Sequence, residues 1–186
     1  MGIRVIGGRC RGRRLEVADL PSLRPTTDRM RETIFNILAH RVDFDGLRVL
    51  DLYAGSGGLG IEALSRGASC VDFVETNRRA AAVIEQNLAS LGLDESGRVH
   101  CRRVEQVVDS LGRYDVVLAD PPYSLARLEQ PLEGIARNIV EDGLLLLEHV
   151  AGSPAPKLAG LDVVNERTIA GSSITLYGAE SDQEDV

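Results

Sequence analysis

The run Val49-Leu50-Asp51-Leu52-Tyr53-Ala54-Gly55-Ser56-Gly57-Gly58-Leu59-Gly60 constrains this chain more than any other segment. An apolar strand enters a glycine-rich turn, and the helical-looking Ile61-Glu62-Ala63-Leu64 opens behind it. Glycine accepts positive φ and lets a ligand approach the backbone, and a helix N-terminus offers free N–H groups. Gly55, Gly57 and Gly60 match G-x-G-x-x-G, with Glu75 at the spacing of a ribose-binding acid and Thr76 beside it. The match alone suits a nicotinamide enzyme equally well.

The surrounding chain alternates as such a turn requires. Strands are expected near 47–52, 70–75, 98–103, 114–119 and 143–148. Helices fit over 58–66, closed by Gly67, and over 77–91, capped by Asn77 and closed by Gly92. Alternation of this kind implies a parallel sheet covered on both faces. A further helix over 27–40 places Met30, Ile34, Ile37 and Leu38 on one face, leaving Arg29 and Arg31 off that stripe, open to solvent or ligand. Ahead of it, residues 3–6 and 14–17 read as two short strands of a basic hairpin, with Pro21 and Pro25 marking a linker.

Asp120-Pro121-Pro122-Tyr123 directly follows the apolar run Val116–Ala119, at the strand end where open α/β sheets bind ligands. Asp120 can accept a hydrogen bond from an exocyclic amine. Two prolines lack N–H groups and hold the backbone extended, so the Pro121 carbonyl can face the same nitrogen. Tyr123 can stack on a flat base. This is a constellation for methylating an amine, and it favours S-adenosylmethionine as the ligand of the glycine turn. Asp51, four residues before Gly55, can orient the ammonium of a methionine moiety, and Tyr53 can line the cleft.

Together, Asp51-x-x-x-Gly55-Ser56-Gly57, Glu75 and Asp120-Pro121-Pro122-Tyr123 resemble the Rossmann-like class I methyltransferases that act on exocyclic amines. Two N-terminal blocks narrow the resemblance: Ile6-Gly7-Gly8-Arg9-x-Arg11-Gly12-Arg13-Arg14-Leu15 and Arg24-Pro25-Thr26-x-Asp28-Arg29-x-Arg31-Glu32. They are similar to those of bacterial RsmD-type enzymes, which modify guanine N2 in small-subunit ribosomal RNA. The resemblance implies an α/β fold: a mostly parallel seven-stranded sheet with helices on both faces, plus a short N-terminal β-hairpin extension. Residues 163–167 and 173–177 would form its closing antiparallel pair.

The resemblance also implies roles. Asp120, Pro121, Pro122 and Tyr123 would form the catalytic pocket. Asp51, Tyr53, Gly55, Ser56, Gly57, Glu75, Thr76, Arg103, Val104 and Asp120 would hold S-adenosylmethionine. Relatives often carry an acid after the third strand for the cofactor's adenine. Here Arg103 takes that place, unless the register slips by two to Glu105. The implied substrate is a guanine-966-type site in 16S ribosomal RNA, within an assembling 30S particle.

Charge distribution fits an RNA partner. The net charge is −7, yet residues 1–31 hold eight arginines against Glu16, Asp19 and Asp28, a local balance of +5 that leaves −12 for the rest. Screening confines surface fields to about 10 Å at moderate salt, so a basic end on an acidic body can still grip phosphates. Arg4, Arg9, Arg11, Arg13, Arg14, Arg29 and Arg31 are the candidate contacts. Cys10, Cys70 and Cys101 are odd in number and widely spaced, which fits neither a disulfide framework nor a zinc site, and no metal is expected. There is no apolar run of membrane-spanning length and no secretory signal pattern, so the expectation is a cytoplasmic monomer. The organisation expected is a basic hairpin over 1–22, a catalytic domain over 23–178 and a disordered acidic tail over 179–186.

Three other readings share parts of this pattern. An adenine-N6 methyltransferase acting on DNA or RNA would use the same tetrapeptide, although a DNA enzyme normally needs additional chain to read its target. A nicotinamide oxidoreductase explains the glycines and Glu75 but not the tetrapeptide. A non-catalytic RNA-binding module explains the arginines alone.

Overall fold

The computed structural model describes residues 3–20, 26–122, 129–169 and 171–179. Tyr123, Arg24 and the acidic tail beyond residue 179 lie outside that set. In chain order the elements are β1 (Ile3–Arg4), β2 (Arg14–Leu15), α1 (Asp28–Ala39), β3 (Arg48–Leu52), α2 (Gly58–Ser65), β4 (Cys70–Val74) and α3 (Arg78–Leu91). There follow β5 (Gly97–His100), α4 (Val104–Val107), β6 (Tyr114–Ala119), α5 (Glu129–Ala136), β7 (Ile139–Val150), β8 (Leu161–Ile169) and β9 (Ser172–Ala179).

The main sheet has seven strands in the order β5-β4-β3-β6-β7-β9-β8. Strands β5 through β7 are parallel, while β9 runs antiparallel to both β7 and β8. This is the expected class I methyltransferase architecture, including the closing antiparallel pair. The order reverses between β3 and β6, and the carboxyl ends at that reversal make the ligand crevice of a doubly wound sheet. Strands buried on both faces read as continuous apolar runs, and Leu50, Leu52, Val116, Val117, Leu118 and Ala119 are fully enclosed. One core holds Val49, Leu118 and Leu146 against Ile34, Phe35 and Ile61; the other holds Leu50, Val117 and Leu145 against Leu132 and Ile135.

Local rules account for the helix ends. The Thr27 hydroxyl caps α1 by accepting from Met30 N, and Asn77 caps α3 by accepting from Arg79 N and Ala80 N. Gly92 ends α3 in the left-handed conformation. Gly60 serves packing, since a Cβ there would lie 2.3 Å from the Phe73 ring. The short helix α4 and helix α5 fall where the sequence pattern had placed no element.

The basic hairpin exists, with Ile3 facing Leu15 and Arg4 facing Arg14, but its paired strands are only two residues each. Its far side is built into the domain. The buried Glu62 carboxylate on α2 accepts from Ile6 N and Gly7 N at 2.7 Å each, and from Arg66 Nε at 2.8 Å. Ser65 adds bonds to Cys10 N and the Gly7 carbonyl. Cys10 is buried, and all three cysteines are free thiols.

The hairpin also overturns one expectation. Arg31 is not open to solvent: its side chain is fully buried, bonding the Arg4 carbonyl and, at 2.8 Å, Asp28 Oδ1. The buried arc of α1 includes Arg31 and Phe35 besides the anticipated stripe, because the hairpin covers a second side of the helix. Arg31 is therefore removed from the RNA-facing set. Arg4, Arg9, Arg11, Arg13, Arg14 and Arg29 are exposed.

Removing the Glu62 carboxylate would strand two backbone donors and a guanidinium. Glu62→Ala should destabilise the fold by about 3 kcal/mol, read as a lower urea midpoint. Amide exchange at Ile6 and Gly7 should accelerate with it, and unchanged exchange there would refute the staple.

Candidate active site

The β3–α2 turn forms as the glycine pattern requires. Tyr53 has φ of 59°, Gly55 56° and Gly57 80°, so the chain turns in the left-handed region before entering α2. A non-glycine residue at positive φ is strained, and such strain gathers at functional turns. The Tyr53 hydroxyl is buried without a partner among the described residues. Burial, with Glu105 second, pushes the phenol up to about 12.

Glu75, just past β4, ties this turn to α3. Its Oε2 accepts from Gly55 N at 2.9 Å and its Oε1 from Asn77 N at 2.7 Å. Thr76 Oγ1 also donates to Oε1, at 3.4 Å, while Oε2 keeps a second acceptor site. Asp51 lies deeper, almost wholly buried, with Oδ2 accepting from Gly60 N at 2.8 Å. Burial pushes its carboxyl up to about 7, opposed by the Gly60 bond and reinforced by Asp120 and Glu75. Ser56 turns away from the cleft: its hydroxyl accepts from Ala18 N at 3.2 Å and its carbonyl from Asn87 Nδ2 at 3.1 Å. Asn87 also exchanges two bonds with the Glu16 backbone, so it clamps the N-terminal segment, the glycine turn and α3 together. Nothing in the sequence distinguished Asn87 from a surface amide.

Asp120 follows β6. Thr26 Oγ1 donates to its Oδ2 at 2.7 Å, bringing the segment before α1 onto the tetrapeptide. Burial first, then Glu148, pushes the Asp120 carboxyl up to about 7, against the Thr26 bond. Glu148 was missed from sequence. Strand register explains its position: Ala119 pairs with Leu147, so the next residues are Asp120 and Glu148 on adjacent parallel strands. Leu118 and Leu146 pair on the α1-facing side, and period-two alternation puts both acids on that side. Its signal was an acid closing an apolar strand run, Leu144–Leu147. Pro121 is buried and Pro122 exposed.

Thr76, after β4, and Arg103, after β5, are exposed, and Val104 is buried. The carboxylate that acts electrostatically on Tyr53 is Glu105. Arg31 completes the site from beneath: its Nε and Nη1 are buried without partners among the described residues. Nη1 approaches Gly58 at the start of α2, where a Cβ would lie 3.1 Å away. Orphaned guanidinium donors beside a glycine turn fit a carboxylate, and acids crowded at the strand ends fit a cation. Both belong to S-adenosylmethionine. Among the described residues no His, Cys, Asp and Glu cluster suits a metal.

Asp51 offers a test that separates fold from ligand. Its raised folded pKa means that the folded state holds a proton the unfolded chain releases, so its contribution to stability declines as pH rises from 3.8 towards about 7. Asp51→Asn keeps the Gly60 bond and never ionises. Denaturation should show the variant gaining on the native protein between pH 5 and pH 8, while its cofactor dissociation constant rises at least tenfold. An equal pH dependence for the two would refute the buried titration.

The sequence matches the family Conserved hypothetical protein 95 over residues 3–178. It is 35% identical over 185 residues to Ribosomal RNA small subunit methyltransferase D of Escherichia coli K12, covering 98% of this chain and 92% of that protein. The same-named protein of Haemophilus influenzae is 32% identical over 181 residues, covering 94% and 93%. Among solved structures, yhhF from Escherichia coli superposes with a TM-score of 0.86 at 34% identity, covering 97% of this chain and 99% of that one. Magnesium protoporphyrin IX methyltransferase from Synechocystis, with bound SAM, shares the fold at a TM-score of 0.63 and 17% identity, over 81% and 79%. The resemblance carried by the arginine-rich blocks holds across almost the whole chain, which belongs to the Conserved hypothetical protein 95 family together with the RsmD-type enzymes.

Proposed function

We propose that this chain methylates the exocyclic N2 of a guanine in small-subunit ribosomal RNA, at a guanine-966-type site, using S-adenosylmethionine. Its relatives' names support the RNA class. The observation that carries the choice of base is the Asp120–Glu148 pair. The Watson–Crick edge of guanine presents two adjacent donors, N1–H and the N2 amino group, and two carboxylates on neighbouring strands suit them. Adenine presents an acceptor at N1, which offers no hydrogen to the Glu148 oxygens. The pair therefore favours guanine-N2 over adenine-N6 chemistry.

S-adenosylmethionine, when bound, supplies an electrophilic methyl on a sulfonium. Glu75 would take its ribose hydroxyls, the Arg31 donors its carboxylate, the Asp51 side its ammonium, and Glu105 with Val104 its adenine. Gly55 and Gly57 leave room for close backbone approach. The guanine must leave its stack to enter the cleft, where Tyr123 would cover it. Thr26 occupies Asp120 Oδ2, leaving Oδ1 to hold one amino hydrogen while the Pro121 carbonyl takes the other. Those contacts favour a pyramidal nitrogen with its lone pair free. After transfer the nitrogen sheds a hydrogen, and Asp120, with its raised pKa, is suited to receive it. Much of the acceleration is positioning. The exposed arginines of residues 1–22, with Arg29, would grip flanking phosphates, and residues 23–178 would carry catalysis. The setting is a cytoplasmic monomer acting on an assembling 30S particle.

Methyl transfer from labelled S-adenosylmethionine to small-subunit particles from cells lacking the enzyme tests this reading. N2-methylguanosine should form, and Asp120→Ala should lower the rate at least a hundredfold. A methylated adenine would overturn the assignment. Because only ionised Asp120 accepts from the amine, kcat/KM should fall as pH drops through about 7. Glu148→Gln should cut kcat/KM for the guanine RNA at least tenfold and narrow its preference over an adenine-substituted RNA. A variant with undiminished preference would remove Glu148 from base selection.

A further inference from the structure

A second cleft lies on the α1-facing side of the sheet, at its β8 edge. It measures about 310 Å³ and is lined by Thr33, Asn36, His40 and Arg41 from α1 and the turn after it, and by Asn165 and Arg167 from β8. A β-bulge shapes its wall. Val163 pairs with Tyr177 and Asn165 with Leu176, which leaves Val164 as the extra residue. Val164 packs against the α1-side core, so the bulge turns Val164 and Asn165 to the same face. Glu166 acts electrostatically on Tyr177, which belongs to the opposite core, so its charge lies across the sheet from the cleft.

Two features ask for a ligand. Arg41 and Arg167 are exposed and form no ion pair with any described residue, so two guanidiniums and the His40 ring face one opening. The Asn165 Oδ1 is buried and lacks a donor among the described residues. An orphaned buried acceptor is costly, and Asn165 forms part of the cleft wall, where a turn of its amide would bring Oδ1 to an entering donor.

We infer that this cleft holds the ribose–phosphate backbone of the substrate RNA, with Arg41 and Arg167 on phosphate oxygens and Asn165 Oδ1 accepting from a ribose 2′-hydroxyl. Guanidinium forks match phosphate geometry, and the 2′-hydroxyl is the donor that RNA has and DNA lacks. The placement suits a strand flanking the target. Thr26 touches Asp120 just before α1 begins, and Asn36 lies ten residues on, about 15 Å along a helix rising 1.5 Å per residue. The inference rests on the small-subunit RNA reading above.

The test is binding of a labelled small-subunit ribosomal RNA fragment across a salt series. The protein would be native, Arg41→Ala/Arg167→Ala, and Asn165→Ala, with the singles Arg41→Gln and Arg167→Gln as milder charge removals. The double variant should bind at least tenfold more weakly, and its slope of log affinity against log salt should shrink by about one to two. Cofactor affinity and melting temperature should stay native. A 2′-deoxy version of the fragment should bind the native protein more weakly, a penalty that disappears in Asn165→Ala. An unchanged salt slope in the double variant, with native RNA binding intact, overturns the cleft alone. A deoxy penalty that persists in Asn165→Ala overturns the ribose contact. A native protein that binds cofactor but not the RNA sinks both this inference and the substrate reading.

Discussion

Crowded carboxylates at one sheet edge organise this molecule. Asp51 and Asp120 are each pushed up to about 7, because burial and like charges both oppose ionisation. The crowd includes Glu75 and Glu148, and the donors that hold three of its members come from separate elements. Gly60 N at the start of α2 holds Asp51, Gly55 N and Asn77 N hold Glu75, and Thr26 before α1 holds Asp120. The same bonds that make the acids tolerable therefore fix the walls of the cleft. A ligand bearing a sulfonium and an ammonium relieves the repulsion, so ligand affinity and the electrostatic strain of the empty fold are linked quantities.

Much of this was legible in sequence because it rests on local rules. Strand, glycine turn and helix follow one another between Val49 and Ser65 with the expected boundaries, and Asn77 and Gly92 bracket α3 as caps. What sequence hid depends on contacts between distant segments. Arg31 looked solvent-facing by helical periodicity, and it is buried because residues 3–15 fold back over α1. Glu62 carries no signal of its role in sequence, because Ile6 N and Gly7 N meet it across more than fifty residues. Glu148 became visible only through the β6–β7 register, since its interest lies in standing beside Asp120. Asn165 depends on a bulge, which no periodicity announces.

The hairpin illustrates why a basic segment need not be an appendage. Its arginines point outward, while Ile3, Val5, Cys10 and Leu15 join the α1-side core. Nucleic acid drawn to those arginines would meet a surface fixed by buried bonds to Glu62 and Ser65, which would leave little ordering cost at binding.

Helix α1 then spans from the Asp120 contact to the second cleft. The segment before it presents Thr26 to Asp120, its first turn anchors Arg31 under the hairpin, and His40 and Arg41 follow its far end. Methyl transfer needs the amine placed within tenths of an ångström, and a flexible RNA strand gripped only at the base would not supply that. A phosphate held near one end of a rigid helix and an acid held near the other would make the base position a property of the helix. The −7 net charge fits the same economy of contacts, since an acidic body leaves attraction only where arginines are placed and disfavours RNA elsewhere on the surface.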